Sequence, residues 1–437
     1  YYYRWWTLRK HIKETPVGYG MTEFLVNRSY ADKYNLIACA IGHHIYESRW
    51  LRNPEYLNQI IHTWYRGNEG GPMAKMTKFS SWNADAVLGR YMVDGNKEFL
   101  LDMVKDLEAE YARWEKTNRL PNGLYWQGDV QDGMEESISG GRRKQYARPT
   151  INSYMYGNAK ALSLIGIMTG DEGMAMKYGL KADSIKTLVQ DKLWNTDHHF
   201  FETMRGDASA EVREAIGYIP WYFNLPDASS KYTVAWKEVM DEKGFSAPYG
   251  LTTAERRHPE FRTHGVGKCE WDGAIWPFAS AQTLTAMANF MNNYPQTVLT
   301  DSVYFHHMER YVESQHHRGR PYIGEYLDEV TGYWLKGDQE RSRYYNHSTF
   351  NDLMITGLIG LRPRLDDTVE VNPLIPADKW DWFCLDNVLY HGRNLTILWD
   401  KYGDRYHRGK GLRIFVDGKQ VGYADRLTRI ICENVLK

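Results

Sequence analysis

The segment Trp126-Gln-Gly-Asp-Val-Gln-Asp-Gly-Met-Glu-Glu-Ser-Ile-Ser-Gly140 crowds Asp129, Asp132, Glu135 and Glu136 into one short stretch. As a helix it would set Asp132, Glu135 and Glu136 on one face, costing a few tenths of a kcal/mol per like-charge pair, and its glycines oppose helix formation. A loop is the better reading. A calcium loop would need alternating oxygen ligands and a distal Glu in a register that this segment lacks. The remaining reading is a general acid, because crowded negative charge in a cleft raises one carboxyl pKa and keeps that group protonated near neutrality.

An acid alone does little for glycosidic bond cleavage, which needs a second carboxylate on the other side of the bond. Glu325 is the candidate, in Pro321-Tyr-Ile-Gly-Glu-Tyr-Leu-Asp-Glu-Val-Thr-Gly-Tyr-Trp334, although a surface hairpin of solvated acids would look the same when read alone. Two further polar-aromatic clusters stand just before apolar helical stretches: Cys269-Glu-Trp-Asp-Gly-Ala-Ile-Trp-Pro-Phe278 and Tyr344-Tyr-Asn-His-Ser-Thr-Phe-Asn-Asp352. Loop-to-helix junctions of this kind are where binding residues gather.

The elements that must position these residues are helical up to about residue 360. Apolar residues recur at three and four in Tyr34–Ile45, Ser81–Met92, Ser153–Ile165, Gly273–Met287 and Phe350–Ile359. Each such helix is read as followed by a more polar one: Pro54–Tyr65, Lys97–Thr117, Asp171–Leu193, Ser229–Glu242 and Tyr304–Ser314. Inner apolar helices paired with outer charged ones predict an (α/α)6 toroid. From Thr368 the pattern changes to period two, with Asn394–Trp399 and Leu412–Gly422 alternating and Asp417-Gly418 marking a hairpin turn. The expected organisation is a helical catalytic domain over 1–365 and a small antiparallel β-sandwich-like domain over 366–437.

Composition narrows the partner. The 437 residues carry a formal net charge of -1, with 54 basic against 55 acidic side chains, which leaves no electrostatic footprint for nucleic acid. No apolar run reaches the roughly 20 residues that span a bilayer, and the first residues lack the order of a signal peptide. The chain starts without Met, which reads as a processed or partial product. Its four cysteines are widely spaced and form no metal or disulfide pattern. The compartment stays open, with a periplasmic or secreted setting favoured over a cytoplasmic one. Aromatic residues make up 14% of the chain, with 16 Trp and 32 Tyr against 14 Phe. That excess of rings with polar handles suits stacking on sugars as well as a large core.

Four segments together resemble the trehalase and processing-α-glucosidase clan of six-hairpin glycosidases, in particular the mannosylglycerate-hydrolase-like catalytic domain. They are Gly133-Met-Glu-Glu-Ser-Ile138 for the G-[MW]-D-x-S-[PS] acid motif, Trp271-Asp-Gly-Ala-Ile-Trp-Pro277 for W-x-G-P-x-W-P, and Glu325-Tyr-Leu-Asp-Glu-Val-Thr-Gly332 for the base motif E-x-Y-x-P-x-T-G. The fourth is His347-Ser-Thr-Phe-Asn-Asp-Leu-Met for the last inner helix. The resemblance implies Glu135 as general acid and Glu325 as general base, acting on an oligosaccharide or glycan end with inversion of configuration. It implies neither cofactor nor metal. This chain has Glu rather than Asp at 135, so Asp132 and Glu136 stay open as the acid; Ile138 and Ala274 replace prolines, and Asn346, His347 and Asp352 replace the aromatic pattern of the last helix.

Around the two carboxylates, the expected substrate contacts are Asp132, Asp272, His347, the ring walls Trp82, Trp126, Trp271 and Trp276, and the polar group Arg148, Asn152 and Tyr154. Each Trp has a core reading beside this one, and Arg148 a helix-start salt bridge. One of His43 and His44 is expected in the core and one towards the cleft, and His264 reads equally as a loop histidine. Two rival functions remain on the same scaffold: a noncatalytic carbohydrate-binding protein, which would need no acid, and a polysaccharide lyase, which would use a Tyr/His pair. A phosphorylase would need basic residues in place of Glu325.

Overall fold

The computed structural model describes residues 1–436. The chain is largely helical, with antiparallel sheet at its C-terminal end. Helices α1 (Tyr2–His11), α2 (Ile41–Ser48), α3 (Glu55–Arg66), α4 (Asn83–Asp94), α5 (Lys97–Asn118) and α6 (Pro149–Thr169) come first. They are followed by α7 (Glu172–Leu188), α8 (Ile219–Tyr222), α9 (Ser230–Thr233), α10 (Pro277–Asn293), α11 (Asp301–Ser314) and α12 (Phe350–Leu353).

Their starts and stops follow local chemistry. The Asn96 side chain accepts from Phe99 N at 3.0 Å and that of Asp171 from Met174 N at 2.8 Å, so two orphan amides at the starts of α5 and α7 are satisfied. Helix α6 has Pro149 in its first turn and ends at Gly170 in the left-handed conformation. Burial separates two classes of helix. In α6, Pro149 to Ala159 are buried without interruption, whereas α5 buries one stripe, Phe99, Leu100, Met103, Leu107, Tyr111 and Trp114.

The contacts follow the same division. Helix α2 packs on α4, α4 on α6, α6 on α8, α8 on α10, α10 on α12 and α12 on α2, so these six form a closed cycle of neighbours. Around it, α3 touches α2, α5 touches α4 and α6, α7 touches α6, α11 touches α10 and α1 touches α12.

Several expectations need correction, among them Ser229–Glu242, where α9 ends at Thr233 and a 3-10 stretch follows over Val234–Val239, and Phe350–Ile359, where α12 ends at Leu353 and a π stretch follows over Met354–Leu358. The stretch Tyr34–Ile45 is helical only from Ile41, because Tyr34 and Asn35 sit at φ 62° and 64° and break the run into short 3-10 turns. Gly273–Met287 enters its helix at Pro277, since Gly273 at φ 149° lies outside the helical region. Helices α1 and α8 have no counterpart in the periodicity reading: α8 is a four-residue Ile-Pro-Trp-Tyr, too short for a repeat, and Tyr2–His11 lacks contrast between its faces.

At the C-terminal end, Trp382–Tyr390, Arg393–Asp400, Gly411–Val416 and Lys419–Ala424 form a four-stranded antiparallel meander. Leu395, Ile397 and Trp399 alternate inward, as do Leu412, Ile414 and Val416. Asp417 and Gly418, both at positive φ, close the last hairpin where the sequence marks it. Val369–Val371 pairs with Leu361–Arg362 on one side and Ile430–Cys432 on the other. Among the described residues, no helix is long and apolar enough to cross a membrane.

Candidate active site

The acidic segment is a loop of tight turns between the two-residue strand Trp126–Gln127 and its partner Tyr146–Ala147. Asp132 N donates to Gly128 O and Met134 N to Asp129 O, each at 2.9 Å, folding the loop onto itself. Gly133, at φ 75°, makes the reversal; a Cβ there would lie 2.4 Å from Cys39 Sγ. The turn presents Glu135 to a cavity of about 280 Å³.

Its three acidic neighbours have other work. Arg148 Nε donates to Asp132 Oδ2 at 2.8 Å, and Thr150 Oγ1 donates to the same oxygen. Glu136 faces outward, held by Arg142 Nη2 at 3.1 Å and Lys268 Nζ at 3.5 Å. Asp129 is buried and accepts from Val130 N at 2.7 Å. Of the four, Glu135 is the one that lines the cavity.

Glu325 lines the same cavity from nearly two hundred residues away. Its segment is tied to the Trp271–Pro277 stretch by two bonds, Ile275 N to Leu327 O and Leu327 N to Ile275 O, both 3.0 Å. Glu325 N donates to Ser342 Oγ at 3.2 Å, and Arg341 Nη2 lies 3.2 Å from Glu325 Oε2. Gly324 has no room for a side chain, since a Cβ would meet the Trp334 and Tyr322 rings at 2.5 Å.

Three rings of these segments form a stack. Trp271 and Trp276 lie 4.3 Å apart at 17°, and Trp276 and Tyr326 lie 4.4 Å apart at 14°. Trp271, Trp276 and Phe278 line the cavity, as does His347, a buried imidazole with both nitrogens unpartnered and burial holding it neutral. Burial pushes the Glu135 carboxyl up to about 7, with the charges of Glu325 and Asp129 adding to it. Burial also raises Glu325, against the pull of Arg341 and Lys336. A raised acid and a second carboxylate in one ring-lined cavity are the elements of glycosidic bond cleavage by acid and base.

Seven residues expected at the substrate lie outside the cavity lining, and for all but Trp126 the partners that engage them give the physical reason. Asp132 and Arg148 are consumed by their mutual ion pair, with both side chains fully buried. Asn152 spends its amide on Tyr125 N and O, both at 2.8 Å, which pins the chain ahead of the acidic loop. Asp272 Oδ2 accepts from His264 N and Gly265 N at 2.6 and 2.9 Å. Trp82 is fully buried 4.7 Å from the Tyr154 ring, and the Tyr154 hydroxyl accepts from Gln282 at 2.6 Å; both are core. Trp126 stands on its short strand, partly exposed. His43 and His44 are both buried core groups, the latter bonded to Asn346 O at 2.8 Å, and His264 pairs with Glu260.

The sequence reading missed Glu23, Tyr30, Lys78 and Arg341, and quoted Tyr345 only as part of a cluster; all five line the cavity. Glu23 sits in Met-Thr-Glu-Phe, an unremarkable context with no neighbouring acid to draw notice.

Residues 33–348 match the family described as the mannosylglycerate hydrolase MGH1-like glycoside hydrolase domain, and residues 361–422 match the C-terminal domain of glycosyl hydrolase family 65. A solved protein named "Sialidase" is 86% identical over 99% of this chain, with a TM-score of 0.99; this chain spans only 40% of its length. The GH63 mannosylglycerate hydrolase from Thermus thermophilus shares 12% identity and a TM-score of 0.63, with 81% of this chain and 99% of that one covered. A GH78 family rhamnosidase of Bacillus sp. GL1 shares 11% identity and a TM-score of 0.58, covering 83% of this chain and 36% of that one. Those two likenesses concern the fold alone.

Proposed function

The chain belongs to the mannosylglycerate hydrolase MGH1-like glycoside hydrolase family, and from that premise we propose that it is an exo-acting, inverting glycosidase working at the end of an oligosaccharide or complex glycan. One observation carries the reading: Glu135 and Glu325, from distant segments, face a single ring-walled cavity with Glu135 raised to about 7. In this proposal Glu135 protonates the leaving oxygen while Glu325 takes a proton from the attacking water on the opposite face of the sugar. The bond from the anomeric carbon to water forms as that to the leaving oxygen breaks, and configuration inverts.

The closed cycle of α2, α4, α6, α8, α10 and α12 supports reading the helical part as an (α/α)6 toroid. The change from helices to meander supports a boundary at residue 365, with residues 366–437 as a β domain.

A second reading concerns the sugar. Lys78 and Arg341 line the cavity, and with Glu135 and Glu23 raised towards neutrality the site tolerates an anionic group. That favours an acidic terminal sugar, in keeping with the similarity to the longer protein named sialidase.

The test screens aryl glycosides, mannosylglycerate and an aryl sialoside with wild type, Glu135→Gln and Glu325→Gln. Hydrolysis by wild type and loss in both variants is expected; full activity in both variants contradicts the assignment. Proton NMR of the first-formed anomer should show inverted configuration, and a product of unchanged configuration removes Glu325 from the base role.

A further inference from the structure

Glu23 is the third carboxyl in the cavity, and it is built in with care. It follows the short strand Gly18–Met21 and is 5% exposed. Its backbone carbonyl accepts from Asn346 N at 3.0 Å, and the Asn346 side chain donates to Thr22 O at 3.1 Å. The Phe24 and Tyr345 rings meet edge to face at 4.4 Å. The two ends of the helical part are thus clasped together at this carboxyl.

Its two oxygens are treated differently. The Tyr345 hydroxyl donates to Oε1 at 2.5 Å. Oε2 is buried and has no partner. Arg341, a cation of the cavity wall, is engaged with Glu325, and burial dominates the environment of Glu23. A carboxyl in that position keeps its proton, and burial with the charges of Glu325 and Glu135 pushes it up to about 8. With Oε1 accepting from Tyr345, the proton belongs on Oε2, where nothing in the protein receives it. A buried donor without an acceptor is costly, and because Glu23 lines the cavity, a group bound there is the acceptor at hand.

We propose that Glu23 is a substrate-contacting residue that determines specificity: a neutral carboxyl, held through Oε1 by Tyr345, that donates from Oε2 to one hydroxyl of the sugar bound between Glu135 and Glu325. The proposal rests on the glycosidase reading, which supplies the sugar. A site built to bond one hydroxyl rejects the analogue that lacks it, because its own buried group is then left unpaired.

The test compares wild type, Glu23→Gln, Glu23→Ala and Tyr345→Phe on the best aryl glycoside of the screen and on its monodeoxy analogues. Glu23→Ala should lower kcat/KM by about 10- to 100-fold, while Glu23→Gln, which keeps an N–H donor, stays within about fivefold. On one deoxy analogue the penalty of Glu23→Ala should vanish. An Ala variant at wild-type kcat/KM, or a penalty equal on every analogue, overturns the proposal. Should the Ala variant fail to fold, affinity for the released monosaccharide is read by tryptophan fluorescence in a Glu135→Gln background. Binding should weaken above about pH 8 with Glu23 but not with Gln at 23. The other titratable groups facing Glu23, namely Tyr30, Tyr345, Cys39 and Glu325, are common to both. Equal pH dependence in the two overturns the proposal. If wild type hydrolyses no glycoside, the glycosidase reading falls and the binding comparison, with a panel of monosaccharides, decides Glu23 by itself; binding of none overturns both.

Discussion

Arg148 Nε donates to Asp132 Oδ2 at 2.8 Å, and neither side chain has measurable exposure. That pair sorts the crowded loop: it takes one acid out of the cavity and fixes the turn that points Glu135 in. Breaking a buried pair strands the remaining charge, so Arg148→Met should cost about 3–5 kcal/mol. Glu136→Gln, at the rim, should cost well under 1 kcal/mol. Urea-unfolding midpoints of the two variants check this, and equal midpoints would contradict the sorting role.

The pH dependence of hydrolysis should be bell-shaped. The base must be ionised, so the rising limb lies above the ordinary glutamate range because burial raises Glu325. The acid must be protonated, so activity falls as pH climbs through about 7, where Glu135 loses its proton. In Glu135→Gln, on a substrate with an activated leaving group that needs no protonation, the fall near pH 7 should disappear, leaving a decline only above about pH 8 where Glu23 ionises, while the rising limb stays.

Glu23 also sets a stability trend. Its folded value, about 8, lies above its value in an unfolded chain, so the folded state holds the extra proton between about pH 4.5 and 8. Stability from this group is fully present below that window and is lost as pH rises through it. Glu23→Gln removes the titration. The variant should therefore gain on wild type from pH 5 to 9, by up to a few kcal/mol at about 1.4 kcal/mol per pKa unit, read as urea midpoints at each pH.

Gly133→Ala places a side chain at φ 75° against Cys39 Sγ. The conformational strain costs about 1 kcal/mol, with the clash added to it. A lower thermal midpoint and a fall in kcat are expected, because Glu135 is two residues away. Adding Cys39→Ala should relieve the clash but not the strain, so a double-mutant cycle separates the two.

Glu325 and the acidic loop that holds Glu135 were legible as candidates because each stands in a dense, glycine-marked local pattern, though Asp132 and Glu136 stayed open beside Glu135. So were most of the helices, whose apolar spacing repeats over three turns or more, and the Asp417-Gly418 hairpin. The substrate wall was read less well. Trp82, Tyr154, Asn152 and Asp272 have the types and spacing of ligand contacts, and the fold spends them on core packing and on backbone amides. Type and spacing say that a polar group needs a partner, not whether that partner is backbone or ligand.

The sequence by itself determined the helical class, the change to antiparallel sheet after residue 360, and the acidic loop and Glu325 as candidates, since these depend on periodicity and on neighbours a few residues apart. Only the tertiary structure decided which acid of the loop enters the cavity, because an arginine at 148 and a threonine at 150 compete for Asp132. It alone brought Glu23 to the site, through a contact with Tyr345 spanning 322 residues of chain. Contacts that long are set by how six helices close on one another, and no local pattern in the chain records them.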